Sequence, residues 1–166
     1  MIELTPLTEA DLQLVEEWLR REHVARWWRD DIGESLAEYR RAIEGREPTD
    51  HFLIVLDGRP VGMIQTYLVS DYPDWEGVVH VGAGVAGVDL LIGEAELVGA
   101  GLGPRVLEQF ARDVVFAAPG TQAVVATVEE PNRRSWRAFE KAGFRHVRDV
   151  EEDGLPCRLM RLDRPA

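Results

Sequence analysis

The chain has one cysteine and no long apolar run, and each scarcity excludes something. A lone thiol, Cys157, rules out an internal disulfide and fits a reducing compartment. No apolar stretch approaches the roughly 20 residues that span a bilayer, so no membrane partner is expected. The opening Met1-Ile2-Glu3-Leu4-Thr5-Pro6 has no basic segment followed by an apolar one. No secretory leader is therefore expected, and a cytoplasmic location is. Basic residues are the minority: 19 Lys and Arg against 30 Asp and Glu leave a net charge of −11. Phosphate backbones need a basic surface, which argues against nucleic acid as the main partner. An acidic cleft would speed the approach of a cationic small molecule, although an acid excess also serves solubility alone. The four histidines, His23, His51, His80 and His146, are scattered. None has metal-ligand spacing with Cys157 or with another histidine, so no metal is expected.

The 166 residues, 45% of them apolar, suit one globular domain over residues 1–166. Hydrophobic periodicity alternates helices with strands and shows no internal repeat. A short strand is expected at Ile2 to Leu4. Thr8 with Asp11 three residues later reads as a capping box before Leu12, Val15 and Leu19, which recur at helical spacing. Ser35 is the expected cap of a helix from Leu36 to Glu44. Phe52 to Leu56 and Val61 to Val69 read as strands joined at Asp57-Gly58. Ser70 to Gly77 is polar, contains Pro73 and reads as a loop. Val88 to Ile92 is a short apolar strand. A glycine turn follows, then a helix from Pro104 to about Ala117, stopped by Pro119-Gly120. Ala123 to Val128 reads as a buried strand. Asn132 caps a helix ending at Gly143, whose missing Cβ suits a left-handed end. Phe144 to Val150 and Leu155 to Leu162 pair around Asp153-Gly154. The sum is an α/β domain with a central mixed sheet.

Gly99, Gly101 and Gly103 stand between a strand and a helix. Successive amides in such a turn can form an anion-binding concavity, and the helix behind adds orphan N–H groups and a positive dipole end. Pro104 fits the first helical position. These features suit a pyrophosphate, although a glycine-rich turn without a ligand remains open. The turn has no Gly-Lys-Ser/Thr, so it is not a P-loop, and Gly-x-Gly-x-Gly fails the dinucleotide fingerprint.

Leu97-Val98-Gly99-Ala100-Gly101-Leu102-Gly103-Pro104 resembles the acyl-CoA pyrophosphate loop of the GCN5-related N-acetyltransferase superfamily. Asn132-Arg133-Arg134-Ser135-Trp136-Arg137-Ala138-Phe139-Glu140-Lys141-Ala142-Gly143-Phe144 resembles its later helix and the turn after it. Glu17-Trp18-Leu19, Trp27-Trp28 and Gly87-Val88-Asp89-Leu90-Leu91 carry a narrower resemblance to the aminoglycoside 6'-N-acetyltransferases. The resemblance implies that superfamily's fold, with a mostly antiparallel mixed sheet flanked by helices, and acetyl-CoA as donor. Two positions depart from the pattern. Val98 stands where the loop usually opens with Gln or Arg, and Phe139 where a tyrosine often protonates the leaving thiolate.

The resemblance implies roles residue by residue. Asp89 is the expected general base beside the reacting amine. Backbone groups of Leu91 and Ile92 are expected along the pantetheine arm. Gly99, Ala100, Gly101, Leu102, Gly103, Pro104 and Arg105 are expected around the phosphates, with Asn132, Trp136 and Phe139 on the later helix. For the acceptor, Trp27, Trp28, Asp71, Asp74, Trp75, Glu129 and Glu130 combine aromatic faces with carboxylates, a mixture that suits an aminoglycoside-like polycation. Trp27 and Trp28 also fit core positions. Direct transfer to the amine is expected, without an acyl-enzyme at Cys157. Other readings are a siderophore-pathway acetyltransferase acting on hydroxylated lysine, acetylation of protein amines, and a non-catalytic acyl-CoA-binding module. Relatives of the siderophore type usually carry histidine where Asp89 stands.

Overall fold

The computed structural model describes all 166 residues, Met1–Ala166. Seven strands form one mixed sheet: β1 (Ile2–Pro6), β2 (Thr49–Leu56), β3 (Arg59–Leu68), β4 (Val85–Ile92), β5 (Ala123–Glu129), β6 (Arg145–Glu152) and β7 (Leu155–Asp163). Their order is β1-β2-β3-β4-β5-β7-β6. β1–β2, β5–β7 and β6–β7 pair antiparallel, while β4–β5 is parallel. The β4–β5 register holds only Val85↔Ala123 to Gly87↔Val125. The helices are α1 (Leu12–Arg20), α2 (Glu22–Ala25), α3 (Ile32–Ile43), α4 (Pro73–Val79), α5 (Leu102–Phe110) and α6 (Arg133–Lys141). None is long and apolar enough to cross a membrane.

The chain divides into two compact units. The first comprises Met1–Thr66 and Asp89–Ala100. Its core joins Leu12, Val15, Trp18 and Leu19 of α1, Leu36 and Tyr39 of α3, and Leu53, Met63 and Leu91 of the sheet. The second comprises Tyr67–Val88 and Gly101–Ala166. Val69, Val79, Val85, Ala123, Val125 and Leu159 form a core cluster there.

Local chemistry explains most boundaries. The capping box at Thr8 is present, with Asp11 accepting from the Thr8 amide at 2.8 Å, but one 3₁₀ turn precedes α1. Asp57 and Gly58 both hold positive φ, as do Asp153 and Gly154, the twist that tight hairpins require. Gly143 ends α6 at φ +97°.

Five expectations are corrected. α3 starts at Ile32, where Asp31 accepts from the Glu34 amide at 2.9 Å, and Ser35 lies buried inside the helix instead of capping it. Residues 70–77 are not a loop: Pro73 opens α4 at a position where a missing N–H costs nothing. His80 then closes α4 in the left-handed region, and the Glu76 carboxylate accepts from the amides of Val81 and Gly82. β4 begins at Val85, three residues earlier than read, because Val85-Ala86-Gly87 pairs with β5. α5 begins at Leu102, so Pro104 is its third residue and not its first, still within the turn whose amides lack partners. The helix ends at Phe110 in a widened π turn over Ala111–Val115, short of the expected Ala117.

Candidate active site

Asp89 lies inside β4 and not at a strand start. Side chains alternate along strands, which places it one step from Leu91 on the same face. The same step separates Gln65 from Met63 on β3 and His51 from Leu53 on β2. Leu53, Met63 and Leu91 all belong to the first unit's core. The apolar row Leu53–Met63–Leu91 is therefore flanked by a polar row, His51–Gln65–Asp89. Gln65 Nε2 donates to Asp89 Oδ2 at 3.0 Å. Gln65 also hydrogen-bonds His51, which is only 8% exposed. Burial pushes the His51 imidazole down to about 4, against a smaller upward pull from Gln65. Sequence reading missed both residues. The available signal was a polar side chain two positions from an apolar one on each of three strands.

The end of β4 is tied down within the same unit. His23 Nε2 lies 2.9 Å from the Ile92 carbonyl, and Arg21 donates to the Gly93 carbonyl at 2.7 Å. The Ile92 carbonyl, expected to serve a pantetheine, thus already has one partner. Arg21 also pairs with Glu94 at 2.8 Å, and this contact leads in holding the Glu94 carboxyl below the usual carboxylate range. Trp28 packs against the first core and hydrogen-bonds Tyr39, so it is a structural aromatic. Trp27 is half-buried, with the Arg26 guanidinium 5.3 Å from its ring centre.

The glycine turn has the conformation that its composition implied. Gly99 and Gly101 sit at φ +81° and +84°. A Cβ at Gly101 would meet nothing within 4 Å, and no side chain caps the first turn of α5. An open, uncapped helix N-terminus behind a turn without side-chain bulk fits a pyrophosphate. Arg105 is exposed in that first turn. A Cβ at Gly103 would stand 3.5 Å from Ala138 Cβ, so α5 and α6 approach closely there. Asn132 ends the turn before α6 with its carbonyl accepting from Ser135 and Trp136. Its side chain makes no capping hydrogen bond.

Other expected contacts lie elsewhere. Trp136 is 7% exposed, donates to the Glu130 carbonyl at 3.0 Å and is covered by Arg158 at 3.9 Å. Phe139 is 3% exposed and meets Phe144 edge-on at 5.0 Å. Both are interior side chains of α6 and offer a ligand almost no surface. Trp75 packs on the second core, while Asp71 and Asp74 are exposed. Glu130 pairs with Arg158 at 2.9 Å, and Glu129 is half-buried on β5. Cys157 is buried, and burial raises its thiol to about 11, which keeps it protonated and unreactive.

Comparison with known proteins adds the family. Residues 8–152 match the acetyltransferase (GNAT) domain. The aminoglycoside N(6')-acetyltransferase type 1 of Klebsiella pneumoniae is 28% identical over 99% of this chain and 84% of its own. The lysine N-acyltransferase MbtK of Mycolicibacterium paratuberculosis is 26% identical over 93% of this chain and 70% of its own. The crystal structure of the aminoglycoside acetyltransferase AAC(6')-Ib with coenzyme A and kanamycin superposes with a TM-score of 0.88. It is 29% identical, covering 99% of this chain and 95% of that one. With the fold, the glycine turn and the collinear match agreeing, the chain belongs to the GNAT acetyltransferase family.

Proposed function

We propose that this enzyme transfers an acetyl group from acetyl-CoA to the 6'-amine of an aminoglycoside, and that Asp89 is the general base. The observation that carries the reading is Asp89 itself, a half-buried carboxylate held by Gln65 on the core face of β4. Its support from relatives is the near full-length similarity to 6'-acetyltransferases, one of them solved with coenzyme A and kanamycin.

Acetyl-CoA supplies the acetyl group as a thioester. The turn Gly99–Gly103 and the first amides of α5 would hold its pyrophosphate, with Arg105 beside them and the Asn132 side chain free of a capping role. An aminoglycoside amine arrives mostly protonated at neutral pH. The Asp89 carboxylate attracts the ammonium and takes one proton, leaving a neutral nitrogen with a free lone pair. Trp27, in the same compact unit as Asp89, is the aromatic acceptor contact of this reading. A net charge of −11 favours a polycation over a neutral acceptor. Phe139 has no proton to give, so no side-chain acid is assigned at that position. The enzyme acts in the cytoplasm, where acetyl-CoA is made.

The test is thiol release from acetyl-CoA against a panel of aminoglycosides and N6-hydroxylysine. Turnover on aminoglycosides with a 6'-amine supports the reading. Turnover on hydroxylysine alone points to the siderophore alternative, and cofactor binding without any turnover points to a binding module.

A further inference from the structure

The polar row His51–Gln65–Asp89 has an internal logic that runs outward from the carboxylate. An ionised carboxylate only accepts hydrogen bonds, so Gln65 must turn its amide NH₂ toward Asp89. That leaves the Gln65 carbonyl for His51, and the imidazole must then donate. His51 Nδ1 is buried and has no partner, which identifies Nε2 as the donating nitrogen. The single ring proton is therefore on Nε2, and Nδ1 is the bare nitrogen. Protonating Nδ1 would bury both a charge and an unpaired N–H, the physical reason the imidazole stays neutral. Tyr39 is the aromatic neighbour, its ring centre 4.7 Å from that of His51. The Tyr39 hydroxyl is bonded to Trp28 and Ser35, so it does not serve Nδ1.

We propose that His51 and Gln65 are positioning residues for acetyl transfer: neutral His51 fixes the Gln65 amide, and Gln65 holds the Asp89 carboxylate ionised and in one orientation. The proposal rests on Asp89 acting as the base. Without His51 only Asp89 itself orients the Gln65 amide, and a turned carbonyl would repel the carboxylate. An ionisable His51 would place a positive charge near the incoming ammonium. A buried neutral imidazole avoids both.

The experiment uses the whole enzyme with acetyl-CoA and an aminoglycoside bearing a 6'-amine. His51→Leu removes the donor while keeping the site apolar. Its kcat should fall about 2- to 10-fold, the range for losing one hydrogen bond between neutral groups, with KM for acetyl-CoA unchanged. The acid limb of the kcat/KM profile should move to higher pH, because a carboxylate whose Gln65 donor is no longer held in place is protonated more easily. His51→Gln, whose amide reaches the Nε2 position, should recover most of the loss. In an Asp89→Asn background, His51→Leu should cost nothing further. Gln65→Met provides the same readouts should His51→Leu fail to fold. Equal losses in both backgrounds, or an unmoved acid limb, overturn the proposal. If Asp89→Asn is impaired while His51→Leu and Gln65→Met are not, only the positioning role falls. If Asp89→Asn keeps full turnover, the base assignment falls first and this proposal with it.

Discussion

The indole of Trp18 occupies the space in front of Gly93. A Cβ at residue 93 would stand 2.2 Å from two indole carbons, and Trp18 is wholly buried. The glycine therefore sets how closely the end of β4 approaches α1, and so where the Leu91–Ile92 backbone lies. Gly93→Ala should destabilise the protein by about 1–3 kcal/mol, the cost of overpacking a core. Chemical denaturation measures this directly, and KM for acetyl-CoA should rise as the strand end shifts.

Asp89→Asn keeps the shape of the side chain and removes its basicity. Turnover should fall by about 10²–10⁴. Calorimetric affinity for acetyl-CoA should stay at the wild-type value, because no cofactor contact is assigned to this side chain.

Gly101→Ala tests the glycine turn. The added methyl meets no neighbour, so any effect comes from the backbone at φ +84°. A left-handed residue with a Cβ costs about 1–2 kcal/mol. Relaxation of that strain rotates the amides of the turn, and acetyl-CoA affinity should weaken about tenfold or more while aminoglycoside affinity is retained. Isothermal calorimetry with each ligand separates the two.

His51 should leave a signature in stability against pH. Its native value of about 4 lies below the ordinary 6.5, so the unfolded chain binds the proton first. The contribution is fully present above about pH 6.5 and is lost as pH falls from there toward 4. The full difference is on the order of 3 kcal/mol. Carboxylates titrate in part of the same range, so the measurement is the difference between wild type and His51→Gln. That difference should narrow or reverse in favour of the variant between pH 7.5 and 4.5.

Much of this was legible in the sequence, for local reasons. Asp-Gly pairs at 57–58 and 153–154 can hold positive φ, so both hairpins were readable without tertiary contacts. The glycine turn was readable because Gly99 and Gly101 need conformations that other residues resist. Where Pro73 falls, composition misled: a polar, proline-containing stretch reads as a loop, but proline at the first helical position starts α4. Ser35 misled because Asp31, four residues earlier, is an equally good cap. Trp136 and Phe139 matched a familiar pattern, yet depth of burial is a property of packing and not of pattern. His51 and Gln65 were missed because their partners, Gln65 for the one and Asp89 for the other, lie on other strands, and pairing across strands is invisible until the sheet is assembled.

The central claim is that a 6'-amine is the acceptor. The most direct measurement is thiol release with two aminoglycosides that differ only in carrying an amine or a hydroxyl at the 6' carbon. The account predicts saturable turnover with the amine, a product acetylated at that nitrogen by NMR, and no turnover with the hydroxyl. Equal turnover with both, or acetylation at another nitrogen, would contradict it.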